Sequence, residues 1–269
     1  NTEHELTAWP LYMTLEHWIY VASYLSLFSF LIMERYFQAS TASITSRDGL
    51  YLMLEIMAKL IGLALSVYAM LWMVNLVAPY EIMSIANLAT PLIVNVVIAF
   101  LMVDFFHYVS HRLHHQIPIL WRFHRLHHTD KKVDAMTTIL HHPFEIISVF
   151  IVNISCYVLF DIPVIIILAH ALIAGIHSPF SHTNMVLPER LDRLLTYFIV
   201  TPNFHRVHHS LNMKEGNSNF GIIFPFWDKL LGSHHYKNNT SLSKMKYGIS
   251  KNKSPKMLVL KELLANPFR

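Results

Sequence analysis

The stretch DFFHYVSHRLHHQIPILWRFHRLHH, residues 104–128, decides how the chain is organised. It continues a long apolar run and contains the pentapeptide HRLHH twice, at 111–115 and 124–128. A near copy, HRVHH, lies at 205–209. Residues i, i+3 and i+4 share one face of an α-helix, so each copy can direct two or three imidazoles to one side. Because neutral imidazole is a common ligand for iron, zinc and copper, the pattern predicts a metal site beside apolar helices.

The composition is that of a membrane protein. Only 14% of the residues are charged, whereas an ordinary soluble domain has about 25%. Hydrophobic residues make up 54%, and the mean hydropathy is +0.38. The few glycines form no G-x-G-x-x-G or Walker pattern, which argues against a nucleotide loop. The single cysteine, Cys156, rules out an internal disulfide.

Four apolar runs are long enough to cross a bilayer, which takes roughly 20 helical residues. They lie at 11–33, 50–78, 88–109 and 139–160. A fifth run, 164–175, is short for a full span. The segment Asp161-Ile162-Pro163 between the last two runs predicts a turn, so these runs should form a hairpin that crosses or re-enters the membrane.

The basic residues favour a cytoplasmic location for the histidine region, because cytoplasmic loops carry an excess of Lys and Arg. Arg35 and Arg47 lie in the first predicted loop, whereas the second loop, at 79–87, has no basic residue. Five basic residues follow the third span: Arg112, Arg122, Arg125, Lys131 and Lys132. We therefore expect a multi-pass integral membrane protein with the histidines on the cytoplasmic side. A mostly apolar chain offers no basic face to a nucleic acid.

These features predict an all-α integral membrane helical bundle, with about four to five membrane helices and a cytoplasmic histidine-rich helical cap that holds a dimetal centre. We divide the chain into membrane helices (1–110), the first two histidine boxes (111–138), a membrane hairpin (139–180), the cap with the last box (181–236) and a basic C-terminal tail (237–269). The run 187–200 has helical spacing and either lies in the membrane interface or packs on its own domain. A last helix is expected to start at Ser254-Pro255.

Three histidine-rich pentapeptides in one chain favour metal binding over the simplest alternative, in which each forms a solvated helix face. One such pentapeptide alone is more often solvated. Burying this many imidazoles without partners would be costly. Eight histidines also exceed what one tetrahedral zinc requires, so they fit two metals that share a site.

Residues 104–232 resemble the fatty acid hydroxylase superfamily, also called the sterol desaturase family. The resemblance rests on residues 104–128, on SHTNMVLPERLDRLLTYFIVTPNFHRVHHS and on NSNFGIIFPFWDKLLG. It implies an integral membrane di-iron enzyme that uses O₂ to hydroxylate or desaturate a C–H bond of a lipid. A sterol, a fatty acyl chain or a related lipid is the implied substrate.

The resemblance assigns nine histidines as metal ligands. The family's first box is H-x-x-x-H, its second and last boxes are H-x-x-H-H, and a further histidine stands in an HSN-like context that is HTN here. The implied ligands are His111, His115, His124, His127, His128, His182, His205, His208 and His209. His107 stands where the family usually has an aromatic residue, so it is not assigned to the first box.

Metal-bound histidines usually donate their second ring N–H to a carboxylate or carbonyl. Asp104, His142 and His177 are the first candidates for supporting the ligands in this way. Further carboxylate candidates are Asp130, Asp134, Glu145 and Asp228.

The resemblance implies two iron ions as cofactors, with zinc as a possible substitute, and O₂ as co-substrate. No catalytic residue beyond the metal ligands is expected. The chain has no flavin or nicotinamide motif. Electrons are therefore expected from an external donor such as a ferredoxin, a cytochrome b5-like protein or a reductase, and the lipid from the membrane.

Three other functions remain open at this point. A metal transporter or store would need polar groups through the middle of the spans, and the first two runs have almost none there. A non-catalytic metal- or lipid-binding membrane protein could keep zinc on the same imidazoles. A pterin-dependent ether-lipid monooxygenase is the third, although related members of that type commonly carry Glu where this chain has Gln116.

The two copies of HRLHH are expected to differ in role. In the first copy the outer histidines are the ligands and His114 lies between them, whereas in the second copy His127 is itself a ligand. His114→Ala should therefore retain bound metal and His127→Ala should lose it, as measured by elemental analysis of purified protein. Loss of metal in His114→Ala would contradict this assignment.

Overall fold

The computed structural model describes residues 2–36, 52–53, 82–85 and 87–249. Throughout this part the regular structure is helical, and the one β-contact is an isolated bridge between Ser210 and Tyr247. This confirms the predicted all-helical class for the described residues. The four long helices are α1 (Thr2–Tyr36), α2 (Leu92–Gln116), α4 (Pro143–Phe160) and α5 (Val164–His182).

Short helices form the rest of the described fold. Between α2 and α4 lie α3 (Pro118–His124) and two 3-10 turns, His127–Thr129 and Ala135–Ile139. After α5 come α6 (Glu189–Leu195), α7 (Pro202–His208), α8 (Met213–Gly216), α9 (Phe226–Leu230) and α10 (Asn239–Leu242).

Among the described residues, α2, α4 and α5 are long and apolar enough to cross a membrane. They correspond to the third, fourth and fifth predicted runs. The predicted first span, 11–33, lies within α1, which is not one of these three. The predicted second span, 50–78, lies outside the described residues except for 52–53, and the expected last helix near 254 lies outside them as well.

The turn between α4 and α5 is built as the sequence predicts. Asp161 ends α4 in the left-handed conformation, with φ of 48°, and Pro163 precedes α5. The Asp161 carboxylate accepts a hydrogen bond from Ser84 Oγ at 2.6 Å. The carbonyls at the end of α4 accept backbone hydrogen bonds from Ile82 and Ile85, so the segment 82–85 fixes the turn.

Helix α5 extends beyond the apolar run 164–175 and ends two residues after the predicted hairpin, 139–180. It continues through Pro179 to His182, although an internal proline removes a helical donor. Side chains satisfy carbonyls near the break: Ser26 of α1 donates to the Ile176 carbonyl at 2.7 Å, and His182 Nδ1 lies 2.8 Å from the Ser178 carbonyl. The extra turns carry His182 to the other histidines.

Glu34, near the end of α1, joins two segments that carry histidines. Its buried carboxylate accepts the backbone N–H of Ala135 at 3.0 Å and that of Asn184 at 2.6 Å. Ala135 follows the second histidine box, and Asn184 lies two residues after His182. The helix end therefore holds both segments against each other.

Close packing of α1 on α5 depends on Gly175. A Cβ at this position would overlap Ser23 Oγ and lie 3.2 Å from Ser23 Cβ. Alanine normally stabilises a helix relative to glycine. Gly175→Ala should nevertheless lower the free energy of unfolding by about 1 kcal/mol, because overpacking costs more than the gain in helix propensity. The measurement is a lower unfolding midpoint in detergent.

The control is the same substitution in a Ser23→Gly background, where the obstruction is absent. There Gly175→Ala should raise the midpoint. If it lowers the midpoint equally in both backgrounds, the two helices do not meet at this contact.

Candidate metal centre

The histidine boxes converge into two clusters. The first draws on α2, α3, the first 3-10 turn and α7, and one ring nitrogen of each member lies within 4.8 Å of the others. Its members are His111, His115, His124, His128 and His208. The second cluster obeys the same distance limit, and all of its members are buried. They are His127, His182, His205 and His209.

The two clusters lie side by side. The rings of His128 and His209, one from each cluster, are nearly parallel with centroids 4.5 Å apart. Within the clusters, His124 Nε2 lies 3.1 Å from the Nε2 atoms of both His111 and His128. In the second cluster His205 Nε2 lies 2.9 Å from His182 Nε2. The nine implied ligands are thus brought together in one region.

This donor set fits metal ions, because hydrogen bonds among imidazoles cannot satisfy it. A neutral imidazole has one donor and one acceptor nitrogen, so several rings that converge on one point leave lone pairs unused. Five buried ring nitrogens of the clusters have no hydrogen-bond partner: His115 Nε2, His127 Nδ1, His205 Nδ1, His208 Nε2 and His209 Nδ1. Each unsatisfied buried group costs roughly 1–3 kcal/mol. In the first cluster a cation would take up the lone pairs of His115 Nε2 and His208 Nε2, and in the second it would bind the converging Nε2 atoms of the four rings.

Burial also keeps these imidazoles in the form that binds metal. It lowers the pKa of the cluster histidines that lie outside the apolar helices well below the usual value, and the neighbouring histidines lower it further. These residues are His127, His128, His205, His208 and His209. They are therefore neutral at physiological pH, with a lone pair available for a metal.

Hydrogen bonds to the far side of several rings orient the ligand nitrogens. His124 Nδ1 lies 2.7 Å from Glu145 Oε1, and His111 Nδ1 lies 2.8 Å from the Phe220 carbonyl. His208 Nδ1 lies 2.8 Å from the Ser218 carbonyl. Because these oxygens only accept, Nδ1 carries the proton in each ring and Nε2 keeps its lone pair.

The residues first expected to support the ligands have other contacts. Asp104 lies 3.0 Å from His170 Nε2 and accepts the indole N–H of Trp227 at 2.9 Å, so its partners lie outside both clusters. Its position seven residues before His111 does place it on the same side of α2, but there it faces α5 and the segment around α9. Because Asp104 bonds to His170 and Trp227 and to no cluster histidine, the expectation that it supports a ligand histidine is wrong.

The other two expected supports also have structural contacts. His142 accepts the backbone N–H of Phe144 and caps the start of α4. His177 Nε2 donates to the Val200 carbonyl at 2.9 Å. His114, between two box histidines of α2, lies 2.7 Å from the Ser110 carbonyl through Nδ1 and belongs to neither cluster.

One residue beside the clusters has no sequence prediction. The ring of His141 stacks on that of His127, with centroids 4.7 Å apart, and its Nε2 lies 3.8 Å from Glu145 Oε1. The sequence HHPFE could have indicated this contact, because His141 lies four residues before Glu145. Glu145 itself was only one of four further carboxylate candidates.

A cavity of about 410 Å³ opens onto both clusters. Helices α1, α2, α4 and α5 line it, together with members of both clusters: His111, His124, His127, His182 and His205. Most of its other lining residues are apolar. The cavity therefore connects the candidate metal centre with the apolar interior of the helix bundle.

Comparison with known proteins gives the family. Residues 96–233, about half of the chain, match the family described as fatty acid hydroxylase. The chain belongs to the fatty acid hydroxylase family. Both histidine clusters and most of α2, α4 and α5 fall within the matched residues. No solved structure matches the chain.

Three relatives illustrate the range of the family. An ornithine lipid hydroxylase of Rhizobium tropici is 31% identical over 54% of this chain and 43% of its own length. The human alkylglycerol monooxygenase is 30% identical over 56% of this chain and 32% of its own length. A cholesterol 25-hydroxylase-like protein of Danio rerio is 30% identical over 51% of this chain and 54% of its own length. The chain thus spans about half or less of the length of these relatives.

The contact between Glu145 and His124 gives a test of the centre. Glu145→Gln keeps the shape of the side chain and removes the charge that fixes the His124 ring. Loss of such a support typically weakens metal binding by 10- to 100-fold. Competition with a metal chelator should show that loss, while Glu189→Gln at an exposed ion pair with Arg193 should leave affinity unchanged. Equal affinities in the two variants would contradict the supporting role.

Proposed function

We propose that the protein is an O₂-dependent di-iron oxygenase that hydroxylates or desaturates a C–H bond of a membrane lipid. The observation that carries this proposal is that two adjacent histidine clusters both contribute to the wall of one mainly apolar cavity. Membership in the fatty acid hydroxylase family supports it. The lipid classes in the names of the three relatives support a lipid substrate.

The two clusters would each hold one iron ion, through His111, His115, His124, His128 and His208 in one and through His127, His182, His205 and His209 in the other. Iron bound there would supply the activation of O₂ that oxidation of an unactivated C–H bond requires. The same imidazoles can hold zinc, so zinc is expected as an inactive substitute.

The protein's own contribution is to position the lipid and exclude water. The cavity wall is mainly apolar, with Ile146 and Val149 from α4, Ile167 and Leu168 from α5 and Leu27 from α1. Such a wall holds a hydrocarbon chain without hydrogen bonds to it, so the shape of the cavity selects the reacting carbon. No protein acid or base is needed for the C–H step, and Glu145, the carboxylate in the described cavity wall, is engaged with His124.

We further propose that the protein crosses the membrane several times with the histidine clusters on the cytoplasmic side. The basic residues that follow the third predicted span support this orientation. An external electron donor would then reach the centre from the cytoplasm.

An ether lipid is the second candidate substrate. Alkylglycerol monooxygenases from human and Caenorhabditis elegans match the chain over about half of its length. Gln116, which stands where related ether-lipid enzymes commonly carry Glu, argues against a pterin-dependent reaction of this kind.

Lipid profiling of a host that expresses the protein tests the proposal directly. Active protein should shift one lipid class by about +16 mass units for hydroxylation or −2 for desaturation, because one oxygen is gained or two hydrogens are lost. The shift should require O₂ and iron, and His124→Ala should abolish it. His17→Ala is the matched control, since His17 is exposed on α1 and outside both clusters.

Two results would contradict the proposal. One is full activity of His124→Ala, which would separate the reaction from the clusters. The other is an unchanged lipid profile when the protein is iron-loaded and an electron donor is present.

A further inference from the structure

A polar pair lies inside the apolar helices, beyond the histidine clusters. His107 of α2 and Asn153 of α4 both line the cavity, and His107 Nε2 lies 2.9 Å from Asn153 Oδ1. His107 precedes His111 by one helical turn, which places it about 6 Å further along the axis from the cap. Neither residue belongs to a metal cluster. Polar groups at such a depth are costly and commonly mark a function.

The pair is held in a fixed position. The His107 ring stacks on that of His170, with centroids 5.0 Å apart and an angle of 3° between the rings. His170 is in turn bonded to the buried carboxylate of Asp104 at 3.0 Å. Asp104 therefore fixes His170, and His170 supports the face of His107.

The hydrogen bond sets which atoms of the pair remain available. An amide oxygen only accepts, so His107 Nε2 carries the proton and Nδ1 keeps its lone pair. Within the described part of the chain, the contact with each other is the side-chain hydrogen bond that His107 and Asn153 form. The pair therefore offers the cavity one acceptor and one amide donor.

We infer that His107 and Asn153 form a recognition site for an uncharged hydroxyl group of the lipid substrate, an inference that rests on the proposed function. A hydroxyl can donate to His107 Nδ1 and accept from Asn153 Nδ2 at the same time. An ether or carbonyl oxygen can use only the amide donor. The described cavity wall contains no Lys or Arg, and its carboxylate, Glu145, is engaged with His124, so a charged head group has no counter-charge there.

The departure of His107 from the family pattern agrees with this role. The resembling family usually has an aromatic residue at this position, and a phenylalanine there would fill the space without a hydrogen bond to a hydroxyl. A histidine beside an asparagine gives this chain a polar contact on the cavity wall. The pair thus distinguishes lipids by the presence of a hydroxyl near the oxidised carbon.

Binding of three matched probes to the full-length, metal-loaded protein in detergent tests the inference. The probes are dodecanol, dodecyl methyl ether and dodecane, and the readout is the dissociation constant from titration. Wild-type protein should bind dodecanol roughly threefold to tenfold more tightly than the ether, because the alcohol forms one additional hydrogen bond. Dodecane should bind most weakly.

His107→Phe should bind the alcohol and the ether equally, because it removes the acceptor that only the alcohol can use. Asn153→Leu should weaken binding of the alcohol and the ether alike, because it removes the donor that both use. Metal content should be unchanged in both variants. Val149→Ala is the matched control, since Val149 lines the cavity one turn from Asn153 and has no polar group; it should weaken binding of all probes alike and keep the preference. An equal affinity of wild-type protein for alcohol and ether, or a preference that survives His107→Phe, would overturn the inference. These measurements require no turnover, so an inactive preparation that still prefers the alcohol would contradict the proposed function alone.

Discussion

The main constraint on this structure is that nine buried imidazoles converge in a region with few carboxylates to accept their N–H groups. Rings that point at one another cannot satisfy each other, and five of their buried nitrogens have no hydrogen-bond partner. Hydrogen bonding within the clusters therefore leaves converging ring nitrogens whose lone pairs two cations would take up. Ligand binding of this kind stabilises the folded state, because the unfolded chain does not hold the ligands together.

The rest of the fold positions these rings. Helix α2 carries His111 and His115 at its C-terminal end, and α5 continues past Pro179 to bring in His182. Glu34 then joins the segments at Ala135 and Asn184. The helices that surround the cavity are thus the same helices that carry or support the ligands, which places an apolar binding space directly against the centre.

The sequence predicted which histidines lie together better than it predicted their hydrogen-bond partners. Helical spacing depends on local geometry, so the boxes and the hairpin turn at Asp161 could be predicted from the order of residues. The partners of Asp104 and His124 depend on how distant helices pack, and spacing along α2 gives no information about His170 or Glu145. The end of α5 was missed for a similar reason, because the Ser26 hydroxyl that satisfies a carbonyl near Pro179 comes from α1.

The most direct test of the central claim is a crystal structure of the iron-loaded protein with anomalous diffraction measured at the iron edge. Two anomalous peaks are expected, one among His111, His115, His124, His128 and His208 and the other among His127, His182, His205 and His209. A single peak, or peaks bound outside these two groups, would contradict that claim.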